Sequence, residues 1–138
     1  MYKTILVPLD ATEADQTILQ HIVPLARHFQ SRLVLLHVAD GWAARTYGPD
    51  AVSPEIRGDK AYLENVCRGL REQGLEAEAN LAYGDPVKEI VRWVGACGCD
   101  LIAMSTHGHR FLADIVLGET ATRVQHQVTV PVLLLKVP

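Results

Sequence analysis

Five short, almost wholly apolar runs, separated by segments with a helical repeat, constrain this chain more than any other feature. Lys3 to Leu9, Arg32 to Ala39, Leu75 to Ala82, Leu101 to Ser105 and Val130 to Val137 read as strands. Strands buried on both faces become continuously apolar instead of alternating, which is the mark of a parallel sheet covered by helices on each side. The expected fold is therefore α/β: a doubly wound, five-stranded parallel sheet with right-handed crossovers.

The intervening segments supply the crossovers. From Glu13 to His28, Ile18, Ile22, Leu25, Ala26 and Phe29 recur at helical spacing, with Pro24 expected to kink the helix. A second helix is expected from Pro54 or Gly58 to Gln73, stopped by Gly74. Asp85-Pro86 starts a third, as an N-cap acceptor followed by a first-turn proline, and Gly98 stops it after Cys97. The last helix is expected to end near Gln127. Gly41 to Gly58 shows turn formers and no period, so it reads as one long irregular segment carrying Trp42 and Tyr47.

The chain has 138 residues and a formal charge of −3, which suits a single domain spanning residues 1–138 and disfavours a nucleic-acid surface built on bulk positive charge. The apolar runs are far shorter than the roughly 20 residues needed to cross a bilayer, and no signal-peptide pattern opens the chain. No nucleic-acid partner and no membrane association are expected, and the protein is expected to be cytoplasmic. Its three cysteines fit reduced, structural thiols, because Cys97-Gly98-Cys99 lacks the two-residue spacing of redox and zinc motifs.

In a doubly wound sheet, ligands bind at the carboxyl ends of the strands, where the strand order reverses. Three such ends carry polar or turn-forming residues: Pro8-Leu9-Asp10, Val38-Ala39-Asp40 and Ser105-Thr106-His107-Gly108. The third leads into a helical segment holding Gly118-Glu119-Thr120, with nine residues between Gly108 and Gly118. A glycine-bearing turn from strand to helix points backbone N–H groups at an anion, and the helix N-terminus adds positive potential. That geometry suits a phosphate, although two histidines and a glutamate stand where a phosphate loop favours small neutral residues.

The chain resembles the universal stress protein family in Ile5-Leu6-Val7-Pro8-Leu9-Asp10, Leu35-Leu36-His37-Val38, Gly84-Asp85-Pro86, the run from Cys99 to Gly108, Leu117-Gly118 and Val130-Pro131-Val132. The resemblance implies a flavodoxin-like strand order 3-2-1-4-5 and a homodimer formed through the last strand, Val130 to Val137. It also implies adenine-nucleotide binding through Gly-x-x-Gly, nine residues, then Gly-Ser or Gly-Thr. Here Gly108, the nine-residue gap and Gly118 are kept, while Ser105 replaces the first glycine and Glu119 the terminal hydroxyl residue. Asp10 and Val38, associated with the ribose and base, are present, so the adenosine half is kept and the phosphate half altered.

A carboxylate in the first turn of the last helix would stabilise that helix through its dipole but repel a polyphosphate, unless a divalent cation bridges the two. ATP is therefore expected to bind weakly or with magnesium, or a smaller nucleotide such as AMP takes its place. The full candidate set is Pro8, Asp10, Val38, Ser105, Thr106, His107, Gly108, His109, Arg110, Gly118, Glu119 and Thr120. His37 reads as a hydrogen-bonded core histidine. No nucleophile motif is present, so a binding and regulatory module is expected, with slow ATP hydrolysis at most. Two other readings stand beside it: a nucleotide-free dimeric interaction protein, and a metal-binding member using His107, His109 and Glu119.

Overall fold

The computed structural model describes residues 1–50, 53–106 and 113–137, with the backbone alone at 42, 43 and 113–118. Five parallel strands form one sheet in the order β3-β2-β1-β4-β5: β1 (Thr4–Pro8), β2 (Arg32–Ala39), β3 (Glu76–Tyr83), β4 (Leu101–Ser105) and β5 (Val132–Leu135). The helices are α1 (Ala14–Phe29), α2 (Trp42–Tyr47), α3 (Pro54–Glu72), α4 (Pro86–Cys97) and α5 (Ala113–Gln127).

Alternation along each strand divides the apolar side chains between two cores. Ile5, Val7, Leu33, Leu35, Leu101 and Ala103 pack against Ile18, Ile22 and Ala26 of α1 and Leu63, Cys67 and Leu70 of α3. Leu6, Val34, Leu36, Ile102 and Met104 face the other way, against Val87 and Ile90 of α4 and Ala121 and Val124 of α5. Residues along the inner strands β1, β2 and β4 are thus mostly buried whichever face they take, which is why these strands read as unbroken apolar runs.

Helix ends follow local chemistry. Ser53 caps α3 by accepting from the Ile56 N–H at 3.1 Å, and Pro54 occupies the first position, where no N–H is needed. Asp85 caps α4 in the same way through Lys88 N–H at 2.9 Å. Gly98 closes α4 in the left-handed region (φ 64°, ψ 37°), as its place in the sequence predicts. Helix α1 closes on Gln30, also left-handed at φ 54°, whose N–H reaches back to Ala26 and Arg27. It runs unbroken through Pro24, which leaves the Gln20 carbonyl without its usual intrahelical donor.

Two sequence expectations need correction. The segment from Gly41 to Gly58 is not one irregular stretch: it contains α2, a 3-10 turn at Gly48–Asp50 and the start of α3 at Pro54. A six-residue helix is too short to show a period, and among the described side chains of α2 Ala44 is buried against Ala39 and Ile56. The last strand is Val132–Leu135, shorter than Val130 to Val137. Val130 instead packs on the second core, and the Pro131 carbonyl accepts from Ile102 N–H.

Candidate functional site

Strands β1, β2 and β3 are laid down in one direction across the sheet, after which the chain returns to place β4 on the other side of β1. Helix α1 therefore leaves β1 on one face of the sheet, while α5 follows β4 on the opposite face. The crevice between the carboxyl ends of β1 and β4 is the topological switch point. Pro8 ends β1, Ser105 ends β4, and Val38 lies one residue before the end of β2. Thr106 continues the ladder past β4, its N–H bonded to the Leu135 carbonyl at 3.0 Å.

The turn after β1 is the most elaborately held part of this end. Asp10 Oδ1 accepts the Thr12 backbone N–H at 3.0 Å and also the Thr12 hydroxyl, a local Asp turn. Ala11 sits in the left-handed region at φ 63°, which costs a residue bearing a Cβ roughly 1–3 kcal/mol. The compensation comes from Asp15, in the first turn of α1. Its Oδ1 accepts the Asp10 N–H at 3.1 Å, and its Oδ2 the Ala11 N–H at 2.9 Å. The Tyr62 hydroxyl of α3 donates to the same Oδ2 at 2.8 Å.

Asp15 is only 1% exposed. Burial, reinforced by the charge of Asp10, raises its pKa to about 6, while Tyr62 and the Asp10 N–H pull the other way. The Tyr62 hydroxyl is pushed well above the ordinary phenol range by burial and by the neighbouring Asp15 carboxylate.

One turn earlier on α3, Asp59 meets His37 of β2. His37 Nε2 lies 3.1 Å from Asp59 Oδ2, and Nδ1 lies 2.8 Å from the Leu9 carbonyl. His37 is thus the hydrogen-bonded, largely buried histidine that its place in an apolar strand implies. Asp59 and Tyr62, three residues apart on one face of α3, together tie that helix to the terminal turn of β1.

The phosphate side is arranged differently from expectation. Glu119 does not lie in the first turn of the last helix: α5 begins at Ala113, so Glu119 is its seventh residue, and it is exposed. No proline or other breaker separates 113 from 118, so the helix extends upstream. The dipole argument, which holds only within the first turn, no longer applies to Glu119. Backbone N–H groups at Gly118, Glu119 and Thr120 fall within the helix interior and are committed to the α5 ladder. His107, Gly108, His109 and Arg110 lie outside the described residues, and so does the metal reading that uses His107 and His109 with Glu119. Among the described residues no three His, Cys, Asp or Glu side chains cluster in a way that would hold a metal ion.

The sequence profile described as the universal stress protein family matches residues 1–136. This chain belongs to the universal stress protein family. It is 29% identical to universal stress protein YxiE of Bacillus subtilis, over 99% of this chain and all of that one. It is 30% identical to universal stress protein MJ0531 of Methanocaldococcus jannaschii, over 100% of this chain and 84% of the relative. The solved structure of MJ0577, from the same archaeon, superposes with a TM-score of 0.81 at 29% identity, covering 100% of this chain and 98% of that one. A universal stress protein from Archaeoglobus fulgidus, solved in complex with dAMP, shares the fold at TM-score 0.71 and 20% identity, with 96% and 97% of the two chains covered.

Other polar groups of this universal stress protein have structural explanations. Cys67 and Cys99 are buried, and burial together with neighbouring Cys97 pushes the Cys99 thiol up to about 12, so it is a poor nucleophile. Trp93 packs on the second core, with the Arg92 guanidinium 5.9 Å from its ring centre. No described helix is long and apolar enough to cross a membrane.

Asp15, Tyr62 and Asp59 are the residues that sequence reasoning passed over. One signal was available: Asp15, Ile18, Ile22 and Ala26 fall on one helical stripe, so the apolar face of α1 begins with a carboxylate. A charge at the head of a buried stripe is rarely left without partners.

Proposed function

We propose that this protein binds an adenine nucleotide in the crevice between β1 and β4 and acts as a regulatory module. The observation that carries the reading is the braced turn after β1, which holds Asp10 at the switch point of the sheet. Asp10 would take the ribose, the Val38 backbone the base, and Gly108 with its neighbours the phosphate. Universal stress proteins solved in complex with dAMP and with cAMP support nucleotide binding.

A nucleoside monophosphate fits better than ATP. Glu119 exposes a carboxylate on α5, and the N–H groups at Gly118 to Thr120 are engaged within the helix. Fewer donors and an added negative charge both disfavour a triphosphate unless magnesium offsets the charge. We propose further that the protein is a homodimer through β5, the outer strand of the sheet.

Calorimetric titration with AMP and with ATP, each with and without magnesium, tests the nucleotide reading. Micromolar AMP binding that is lost in Gly108→Val, with the fold retained, is the expected result. No heat with any of these ligands would overturn it and favour the nucleotide-free interaction protein.

A further inference from the structure

Two consecutive backbone N–H groups, those of Asp10 and Ala11, converge on the Asp15 carboxylate. The turn that carries them includes a left-handed residue, Ala11 at φ 63°. The resulting concavity is the kind of backbone nest that binds an anion. Here the anion is internal. Alanine has no intrinsic preference for this conformation, so the turn keeps its shape because the carboxylate occupies it.

We propose that Asp15 is a positioning residue for the nucleotide: its ionised carboxylate holds the Asp10 turn in its binding shape, and protonation of Asp15 loosens the site. The proposal rests on the nucleotide reading above. Asp15 is buried, so it acts on a ligand through the turn that carries Asp10. Protonation removes the anion from the nest and turns one acceptor oxygen into a donor facing other donors.

The groups that face Asp15 set where this happens. Asp10, on its own turn, disfavours the charged form by like-charge repulsion, whereas Tyr62 on α3 donates to it and favours it. The next carboxylate on α3, Asp59, meets His37 of β2, whose other ring nitrogen lies against the Leu9 carbonyl. Burial, the largest effect, adds to that of Asp10 and brings the midpoint to about 6.

The experiment is calorimetric titration of AMP into the native chain, Asp15→Asn and Tyr62→Phe between pH 5 and 8. The phosphate of AMP titrates in the same range, so the quantity read is the ratio of variant to native Kd, from which the ligand's own titration cancels. For Asp15→Asn the ratio should be roughly tenfold at pH 8, equivalent to about one pKa unit of coupling, and fall towards one at pH 5. Tyr62→Phe, which removes only the donor, should move the native midpoint upward. A ratio of one at every pH, or an unmoved midpoint in Tyr62→Phe, overturns the proposal. Native protein that binds AMP while Asp15→Asn behaves identically defeats this inference alone. Native protein that binds no nucleotide defeats the reading beneath it as well.

Discussion

His37 and Asp59 join β2 to α3 through a contact of 3.1 Å, while the other imidazole nitrogen reaches the Leu9 carbonyl at 2.8 Å. Both partners are acceptors when Asp59 is ionised, so both bonds are made fully only when the ring carries two protons. One side chain thereby fixes the ends of β1 and β2 and the first half of α3 relative to one another.

Removing Asp59 should expose that dependence. Asp59→Ala leaves a largely buried ring nitrogen without its partner, at an expected cost of about 1–3 kcal/mol. Asp59→Asn should cost less, because its amide can donate to a neutral ring. Urea denaturation of both variants at pH 7 measures the difference; equal losses would show that the contact contributes nothing specific.

Asp15 should make stability depend on pH with the opposite sign to an ordinary salt-bridged carboxylate. Its folded pKa, about 6, lies above the ordinary aspartate value of 3.8, so the folded state binds the proton more tightly. The stability it contributes is full below about pH 3.8 and is lost as the pH rises through 6. The stability of the native chain relative to Asp15→Asn should therefore fall by an amount on the order of 3 kcal/mol between pH 4 and 7. Denaturation curves for both proteins at matched pH provide the check, and a constant difference would contradict it.

Replacing Glu119 tests the phosphate side. Glu119→Ser removes an exposed carboxylate, so screening limits the gain in ATP affinity to about two- to fivefold without magnesium. AMP affinity should change less, because fewer phosphate charges meet the site. Parallel titrations of the two nucleotides decide it: equal effects on both would place Glu119 away from the terminal phosphates.

The outer strand gives a test of assembly. Leu134 is 36% exposed on β5, within a nearly all-apolar strand whose described pairing is to β4 alone. An apolar edge of this kind is a hazard unless another chain covers it. Leu134→Glu should convert the proposed dimer to a monomer in sedimentation velocity, while the circular dichroism spectrum stays that of the native fold. A native protein that sediments as a monomer would remove the dimer.

Much of the fold was legible because its signals are local. Asp85-Pro86 and Gly98 bracket α4 through capping chemistry that involves only neighbouring residues. Leu101 to Ser105 reads as a buried strand because Leu101 to Met104 each meet a core on one face or the other. Helix α2 escaped notice because Ala44 packs it against Ala39 and Ile56, a contact between segments that sequence does not place together. Glu119 was misplaced for a related reason: the start of α5 depends on how far the helix extends upstream, and no capping residue beside Gly118 marks it.

The sequence by itself determined the α/β class, the number of strands, most helix ends and the polar character of the strand termini. Periodicity, apolar runs and caps act within a few residues, so they can be read from the chain one segment at a time. Only the tertiary structure decided that Asp15, Asp59 and Tyr62 converge beneath the Asp10 turn. Those contacts join residues up to 47 positions apart, and the carboxylate of Asp15 becomes unusual only once packing has stripped its water. Burial is a property of the assembled core, and it turns an acidic residue in a first helical turn into the brace of a candidate binding site.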